Sequence, residues 1–381
     1  MELLSPYSAS WHTIGRASLR LTLHRKDGAF APNSGYKEST MASLRFAMLG
    51  AGFWSYYQLA GWKELPGVEC VALCDRVRNK AEARAREFGV PRVYDNPREI
   101  FQQEKLDFVD IVTSPETHRE LVQLAVAHKT AVICQKPMAM TYADASEMVR
   151  ECRDAGVPFC VHENWRWQTP FRALKRVLDD GRIGPVFRAR LRMVSGFPVF
   201  KNQPFLAELE EFVLTDVGVH VLDAARFLFG EAETLYCQTR RVHPDIKGED
   251  VATVIMRMRS GATVTVELGY AENYLENDRF PETLVFIEGS KGSIEVAGDF
   301  WIRITTEEGT FAKRHPPPAY SWVNPAYAVV QSSIVDCHAN ILQFLEGRGL
   351  AETTGEDNLR TLRLVFGSYE SARAGKVLRI E

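Results

Sequence analysis

The sequence predicts an α/β protein in two parts: a doubly wound parallel sheet, then an α+β region built on a large open, mostly antiparallel sheet. Two observations predict it. Between residues 44 and 162, short near-continuous apolar runs alternate with helical stretches, the signature of strands buried on both faces. After Pro170 the strand-like runs alternate apolar with polar residues, as in a sheet with one packed and one freer face. The length of 381 residues leaves room for two such domains at about 150 residues each.

The elements follow in order. Residues 44–49 read as a strand ending in glycine, and 54–65 as a helix closed by Pro66-Gly67. Residues 68–74 form a second strand that stops at Asp75, and 80–88 a charged helix stopped by Gly89. Strands at 108–112, 131–134 and 158–162 enclose a helix opened by Pro115 and another at 142–155. Parallel strands need such crossovers, which is why the pattern is doubly wound. Beyond it come a helix at 171–180, a long strand at 186–194, and strands at 235–240, 252–258, 262–270, 283–287, 293–296 and 302–306. Helices around 326–345 and 358–374 finish the chain. The expected domains are residues 44–165 and 166–381. Residues 1–43 carry scattered basic residues and no sustained apolar period. They are expected to be a disordered tail, or an extension upstream of a natural start at Met41, rather than a secretory signal.

Composition excludes several classes. With 46 basic against 49 acidic residues the net charge is −3, which argues against an electrostatic nucleic-acid binder. No apolar run reaches the length of about 18 residues that a membrane span needs. The seven cysteines form no C-x-x-C pair and lie partly in apolar runs, as expected of reduced, mostly buried thiols in a cytoplasmic protein.

Gly50-Ala51-Gly52-Phe53-Trp54-Ser55 sits between the first strand and the first helix. A dinucleotide fingerprint has G-x-G-x-x-G there: the first glycine permits the turn, and the second lets backbone N–H groups approach a pyrophosphate at the helix N-terminus. Ser55 takes the third place and is small enough for close packing. Asp75, at the end of the next strand, can accept hydrogen bonds from an adenosine ribose diol and would repel a 2′-phosphate, favouring NAD over NADP. Arg76 pulls the other way, since it can meet a 2′-phosphate or stack on adenine. The strand ends at Pro115 and His118, and at Gln135 and Lys136, should point into the crevice that holds the cofactor.

Downstream, Asp216 and His220 stand four residues apart on an apolar helix, hence on one face. Lysine, histidine and aspartate beside a nicotinamide suit alcohol oxidation. Histidine takes the proton, lysine stabilises the charge that develops on the oxygen, and aspartate orients the imidazole or binds a neighbouring hydroxyl. Each residue also has a plainer reading. Lys136 can be a solvated strand-end lysine, and His220 a core histidine. Zinc at Asp216 and His220 lacks further ligands. Trp165 can stack on a sugar, by alternation in an extended chain, or pack with Trp167 in the interdomain seam. Arg166 can reach cofactor or substrate hydroxyls or form a structural salt bridge. His162 and Glu163, at a strand end, are substrate candidates. Residues 197–205 form either a substrate-side loop or an edge contact.

The glycine turn, Pro115 with His118, Lys136-Pro137, the run Asn164-Trp165-Arg166-Trp167-Gln168-Thr169-Pro170, Asp216 with His220, and the turn at 289–293 together resemble the glucose-fructose oxidoreductase, inositol dehydrogenase and rhizopine catabolism family, Gfo/Idh/MocA. The resemblance runs from about Leu44 to the C-terminus. It implies a Rossmann domain, a second domain on a large open sheet, and a homo-oligomer, dimer or tetramer, joined through sheet faces. It places the family's catalytic lysine, aspartate and histidine on Lys136, Asp216 and His220. Members usually carry glutamate where this chain has Gln135, so a carboxylate contact to the cofactor becomes an amide contact. A narrower resemblance, in GFWSYYQLAGW, ICQKPMA, HENWRWQTP, FPVFKNQPF, RRVHPDIKGEDVAT and ETTGEDNLRT, is to a sugar-oxidising branch. It implies NAD-dependent oxidation of a branched pentose at its anomeric carbon to a lactone. Other sugars or cyclitols such as inositol, NAD-using glycoside hydrolysis, and nucleotide sensing without catalysis are the alternatives.

Overall fold

Alternate side chains of the first strand feed two different cores, as the two-residue period of a strand requires. In this computed structural model, which describes residues 43–276 and 278–380, Phe46 and Met48 of β1 (Leu44–Leu49) join a core with Trp62, Leu73, Phe108 and Ile341. Ala47 and Leu49 join another with Val71, Val122 and Met148. The expected N-terminal tail lies outside the described residues.

From β1 the chain runs through α1 (Phe53–Lys63), β2 (Val68–Cys74), α2 (Arg78–Phe88), β3 (Arg92–Tyr94), α3 (Pro97–Gln103), β4 (Phe108–Ile111), α4 (His118–Ala127), β5 (Ala131–Gln135), α5 (Tyr142–Ala155) and β6 (Phe159–His162). The strands pair in parallel in the order β3-β2-β1-β4-β5-β6. The order reverses between β1 and β4, and a crevice opens at the carboxyl ends of such strands. The sequence reading missed β3 and α3. β3 has only three residues, while α3 is marked by Asn96, whose side chain accepts from Arg98 N at 3.1 Å, with Pro97 at the first turn.

The second part holds α6 (Thr169–Asp179), β7 (Val186–Ser195), a short α7 (Val199–Asn202), a π-helical turn (Leu214–Gly218), α8 (Val219–Phe229), β8 (Ala232–Arg240), β9 (Val251–Met258) and β10 (Thr263–Tyr270). It continues with β11 (Leu284–Gly289), β12 (Gly292–Ala297), β13 (Trp301–Thr306), β14 (Gly309–Arg314), a short α9 (Ala328–Gln331), α10 (Ser333–Leu345), α11 (Gly355–Ala374) and β15 (Leu378–Arg379). Its strand order is β14-β13-β12-β11-β7-β10-β9-β8-β15, antiparallel except between β7 and β10. β14 gave no apolar period because all of its residues are exposed. Ala252, Val254 and Met256 point into the core under the helices, while Ile255 and, on β11, Phe286 are exposed on the open face.

α10 belongs to the second half of the sequence yet packs against α1, so the first sheet is covered partly by the second half. All seven cysteines are free, six of them buried. No helix among the described residues is long and apolar enough to cross a membrane.

Candidate active site

The cofactor end is built on the turn after β1. Gly50 has φ +107°, a conformation that L side chains rarely adopt, and a Cβ there would lie 2.4 Å from the Val112 carbonyl oxygen. Gly52 shows the opposite: a Cβ on it would meet nothing within 4 Å. The backbone at the N-terminus of α1 therefore faces open space, and its N–H groups fit a pyrophosphate. Ser55 is buried in the third-glycine place, where its hydroxyl donates to Gly52 O at 2.6 Å and accepts from Arg84 Nε at 3.1 Å. Asp75 accepts from Ala51 N at 2.9 Å and Val77 N at 2.8 Å, tying the end of β2 to the glycine turn, with Arg76 exposed beside it. Phe53 is 68% exposed at the mouth of α1, and Trp54 is half-buried. Pro115 opens a single 3₁₀ turn after β4. His118 departs from expectation. It is fully buried, with Nδ1 3.2 Å from Met138 O and Nε2 3.2 Å from Thr113 O. Burial lowers its pKa, and it joins the loops after β4 and β5 rather than presenting its ring to a cofactor.

The reacting end lies at the tip of β5. Lys136 Nζ donates to Asp216 O at 2.9 Å and approaches Asp216 Oδ1 at 3.4 Å. Gln135 is half-buried, and its Oε1 accepts from Lys136 N at 3.1 Å. Asp216 sits in the π-helical turn, so the exact helical period assumed between it and His220 does not hold. Both residues nonetheless lie beside Lys136: Asp216 bonds it, and burial, with the Lys136 ammonium second, drives the His220 pKa down. The imidazole is neutral at pH 7. Its Nδ1 lies 2.5 Å from Glu163 Oε1, while Asp216 bonds Lys136. The aspartate therefore does not orient the histidine.

Trp165 is buried too. It lies in a 3₁₀ turn (Trp165–Trp167), not an extended segment, and its ring stacks on His220 at 4.4 Å and 19°. Its Nε1 donates to Thr283 Oγ1 at 3.1 Å. Trp165 therefore braces the histidine instead of standing free as a sugar platform.

Two expected substrate contacts are withdrawn from the cleft. Arg166 is bidentate to Asp223, with Nε to Oδ2 at 2.7 Å and Nη2 to Oδ1 at 2.5 Å, and also reaches Asp357 at 2.7 Å and Glu352 O at 3.0 Å. It is a buried structural ion pair. His162 is enclosed between Gln58 (3.3 Å) and the ring of His338 (4.8 Å), and burial lowers its pKa to about 3. The segment at 197–205 begins with Phe197 stacked on Phe280 at 4.2 Å.

Sequence reasoning missed Glu249. Its carboxylate accepts from Phe212 N at 3.2 Å and Leu214 N at 3.1 Å, and from the Tyr369 hydroxyl at 2.7 Å, and so anchors the turn that carries Asp216. A buried glutamate in a loop gives no spacing signal, although its run IKGED was among the distinctive stretches.

Residues 44–163 match the oxidoreductase family with an NAD-binding Rossmann fold, Gfo/Idh/MocA, and residues 171–295 match the Gfo/Idh/MocA C-terminal domain. A D-apiose dehydrogenase of Rhizobium rhizogenes is 41% identical, over 89% of this chain and 98% of that protein. One from Paraburkholderia graminis is 40% identical, over 90% of this chain and 91% of that protein. The crystal structure of an oxidoreductase from Agrobacterium radiobacter, in complex with NAD+, L-tartaric acid and magnesium, has a TM-score of 0.87 at 41% identity and covers 89% of this chain and 99% of that one. The glycine turn, the strand-end lysine and both matched halves lead to one conclusion: the chain belongs to the Gfo/Idh/MocA family of oxidoreductases.

Proposed function

We propose that the protein is an NAD-dependent sugar dehydrogenase that oxidises the anomeric hydroxyl of an aldose, D-apiose first among candidates, to its lactone. The observation that carries this reading is the convergence of Lys136, Asp216 and a neutral His220 at the carboxyl end of β5, on the side where β1 and β4 frame the glycine turn. The identity to D-apiose dehydrogenases supports the substrate.

Gly50, Gly52 and the N-terminus of α1 would hold the pyrophosphate, and Asp75 the adenosine ribose. Phe53, Trp54, Arg76, Pro115 and Gln135 line the remainder of the cofactor side. The cofactor, when bound, supplies the hydride acceptor. The chain's own residues do the rest. Lys136 Nζ, held by Asp216, donates to the substrate oxygen and stabilises its developing negative charge. His220 is neutral and can take the hydroxyl proton. Asp216 neutralises the lysine and keeps it aimed.

Residues 44–165 would serve the cofactor and 166–381 the substrate and assembly. The open sheet face, with Ile255, Phe286 and Trp301 exposed, supports a homo-oligomer, and free buried thiols support a cytoplasmic location. The test is a screen of NAD and NADP against aldoses, including apiose, and cyclitols. NADH formation with an aldose is the expected result. Turnover with inositol alone would move the reading to a cyclitol dehydrogenase, and aglycone release from glycosides without net NADH would make it a hydrolase.

A further inference from the structure

We infer that Glu163 is the positioning residue of the proton-accepting histidine: its carboxylate fixes His220 in the Nδ1–H tautomer, leaves Nε2 as the atom that takes the substrate's proton, and balances the imidazolium that results. This rests on the dehydrogenase reading above.

The geometry comes from the loop after β6. Glu163 Oε1 accepts from Trp165 N at 3.1 Å, two residues on, so its own loop holds the carboxylate in place. The same oxygen meets His220 Nδ1 at 2.5 Å. An ionised carboxylate only accepts, so the nitrogen facing it must carry the hydrogen. Trp165 covers the face of the ring while Glu163 holds its edge, and the imidazole cannot turn. Asp216, the acid that spacing nominated, is engaged by Lys136 instead.

The second oxygen is equally informative. Glu163 is fully buried, and its Oε2 has no hydrogen-bond partner among the described residues. A buried carboxylate with an unpaired oxygen is costly unless a positive charge stands beside it. Proton transfer creates that charge on His220. Lys136, Asp216 and Asp223 act on His220, and Lys136, Arg166 and Asp357 act on Glu163. Of these, Arg166 is already spoken for by Asp223 and Asp357, and Lys136 by Asp216. Burial pushes the Glu163 carboxyl up to about 7, so above neutral pH it is the ionised acceptor that this bond requires.

The step balances. The substrate O–H bond breaks and an N–H bond forms at Nε2; the Nδ1 hydrogen stays on nitrogen; the C–H electron pair leaves as hydride to the nicotinamide oxidant, and a carbonyl forms. The histidine–glutamate pair goes from a net charge of minus one to zero.

Glu163→Gln keeps the volume and an acceptor oxygen and removes the charge. In ¹⁵N-histidine spectra above neutral pH without substrate, wild type should show His220, assigned by its loss in His220→Asn, as a single Nδ1–H tautomer; Glu163→Leu, which removes the acceptor, should lose that single state. In kinetics, Glu163→Gln should lower kcat by at least about 10²-fold, leave the NAD Kd unchanged, and move the acid limb of kcat/KM to lower pH. A merely structural role would leave that limb where it is. An Nε2–H tautomer in wild type, or a Glu163→Gln enzyme with wild-type kcat and an unmoved limb, would overturn the assignment. Wild type that makes no NADH from any sugar or cyclitol would contradict the dehydrogenase reading itself, and the spectra would still decide the tautomer.

Discussion

Helix α8 borders two charged clusters that differ in how far the fold encloses them. Near its start, His220 faces Glu163, while Lys136 pairs with Asp216, both partly open to solvent at 16% and 21% side-chain exposure. One turn on, Asp223 and Arg226 join Arg166, Asp357 and Thr361 in an enclosed network. The residue types are nearly the same. The difference lies in how far the fold encloses them. Arg166 commits four of its five N–H donors to Asp223, Asp357 and a main-chain carbonyl, and its side chain is only 6% exposed, so it is closed off from a substrate. Lys136 has three donors and two contacts, both to one aspartate, which leaves it able to bind an incoming oxygen.

The comparison is broken most easily from the reactive side. His220→Ala should lower kcat/KM by about 10²- to 10⁴-fold. Lys136→Ala should cost about 10²- to 10³-fold, as for a lost oxyanion donor. Lys136→Ala should move the urea midpoint little, whereas His220→Ala, which opens a cavity beside Trp165 and strips Glu163 of a partner, should lower it. Normal turnover in both would remove the distinction.

From the structural side, Asp223→Ala leaves Arg166 buried beside a missing partner. It should cost about 3–5 kcal/mol of stability in urea unfolding. An Asp223→Ala protein of wild-type stability but with a raised sugar KM would return Arg166 to the substrate.

A smaller effect sharpens the contrast through pH. Burial raises the Asp357 pKa, but Arg166 and Arg226 outweigh it and hold the carboxyl below its ordinary value of 3.8. Its stabilising contribution is therefore present above that value and is lost as pH falls through the native pKa. Wild type should lose unfolding free energy below pH 4, measured by urea titration, and Asp357→Asn should lose less over the same range. The mildest prediction concerns the cofactor end. Asp75→Ala should narrow the preference for NAD over NADP in kcat/KM by about tenfold; an unchanged ratio would assign the discrimination elsewhere.

The first sheet was legible in the sequence because burial on both faces writes unbroken apolar runs. Residues 68–74 and 142–155 match β2 and α5. Short or fully exposed strands such as β3 and β14 write nothing of the kind. At the candidate site, the meeting of Lys136 with Asp216 was legible because strand ends and helix starts have a direction in sequence. The partners were not. Glu163 and Arg166 stand three residues apart in one loop, and the sequence gives them equal standing as substrate contacts. The 3₁₀ turn at Trp165–Trp167 alone sends the first to His220 and the second to Asp223. His118 shows the same limit: its place after a strand end pointed to the crevice, but its ring turns into the protein.

The most direct measurement is NADH formation over a panel of aldoses, including apiose, and cyclitols, run with wild type, Lys136→Ala and His220→Ala at equal NAD occupancy. The account predicts reduction of NAD by an aldose in wild type and loss of that reduction in both variants. Reduction that survives in either variant at the wild-type rate, or its absence from wild type across the panel, would contradict it.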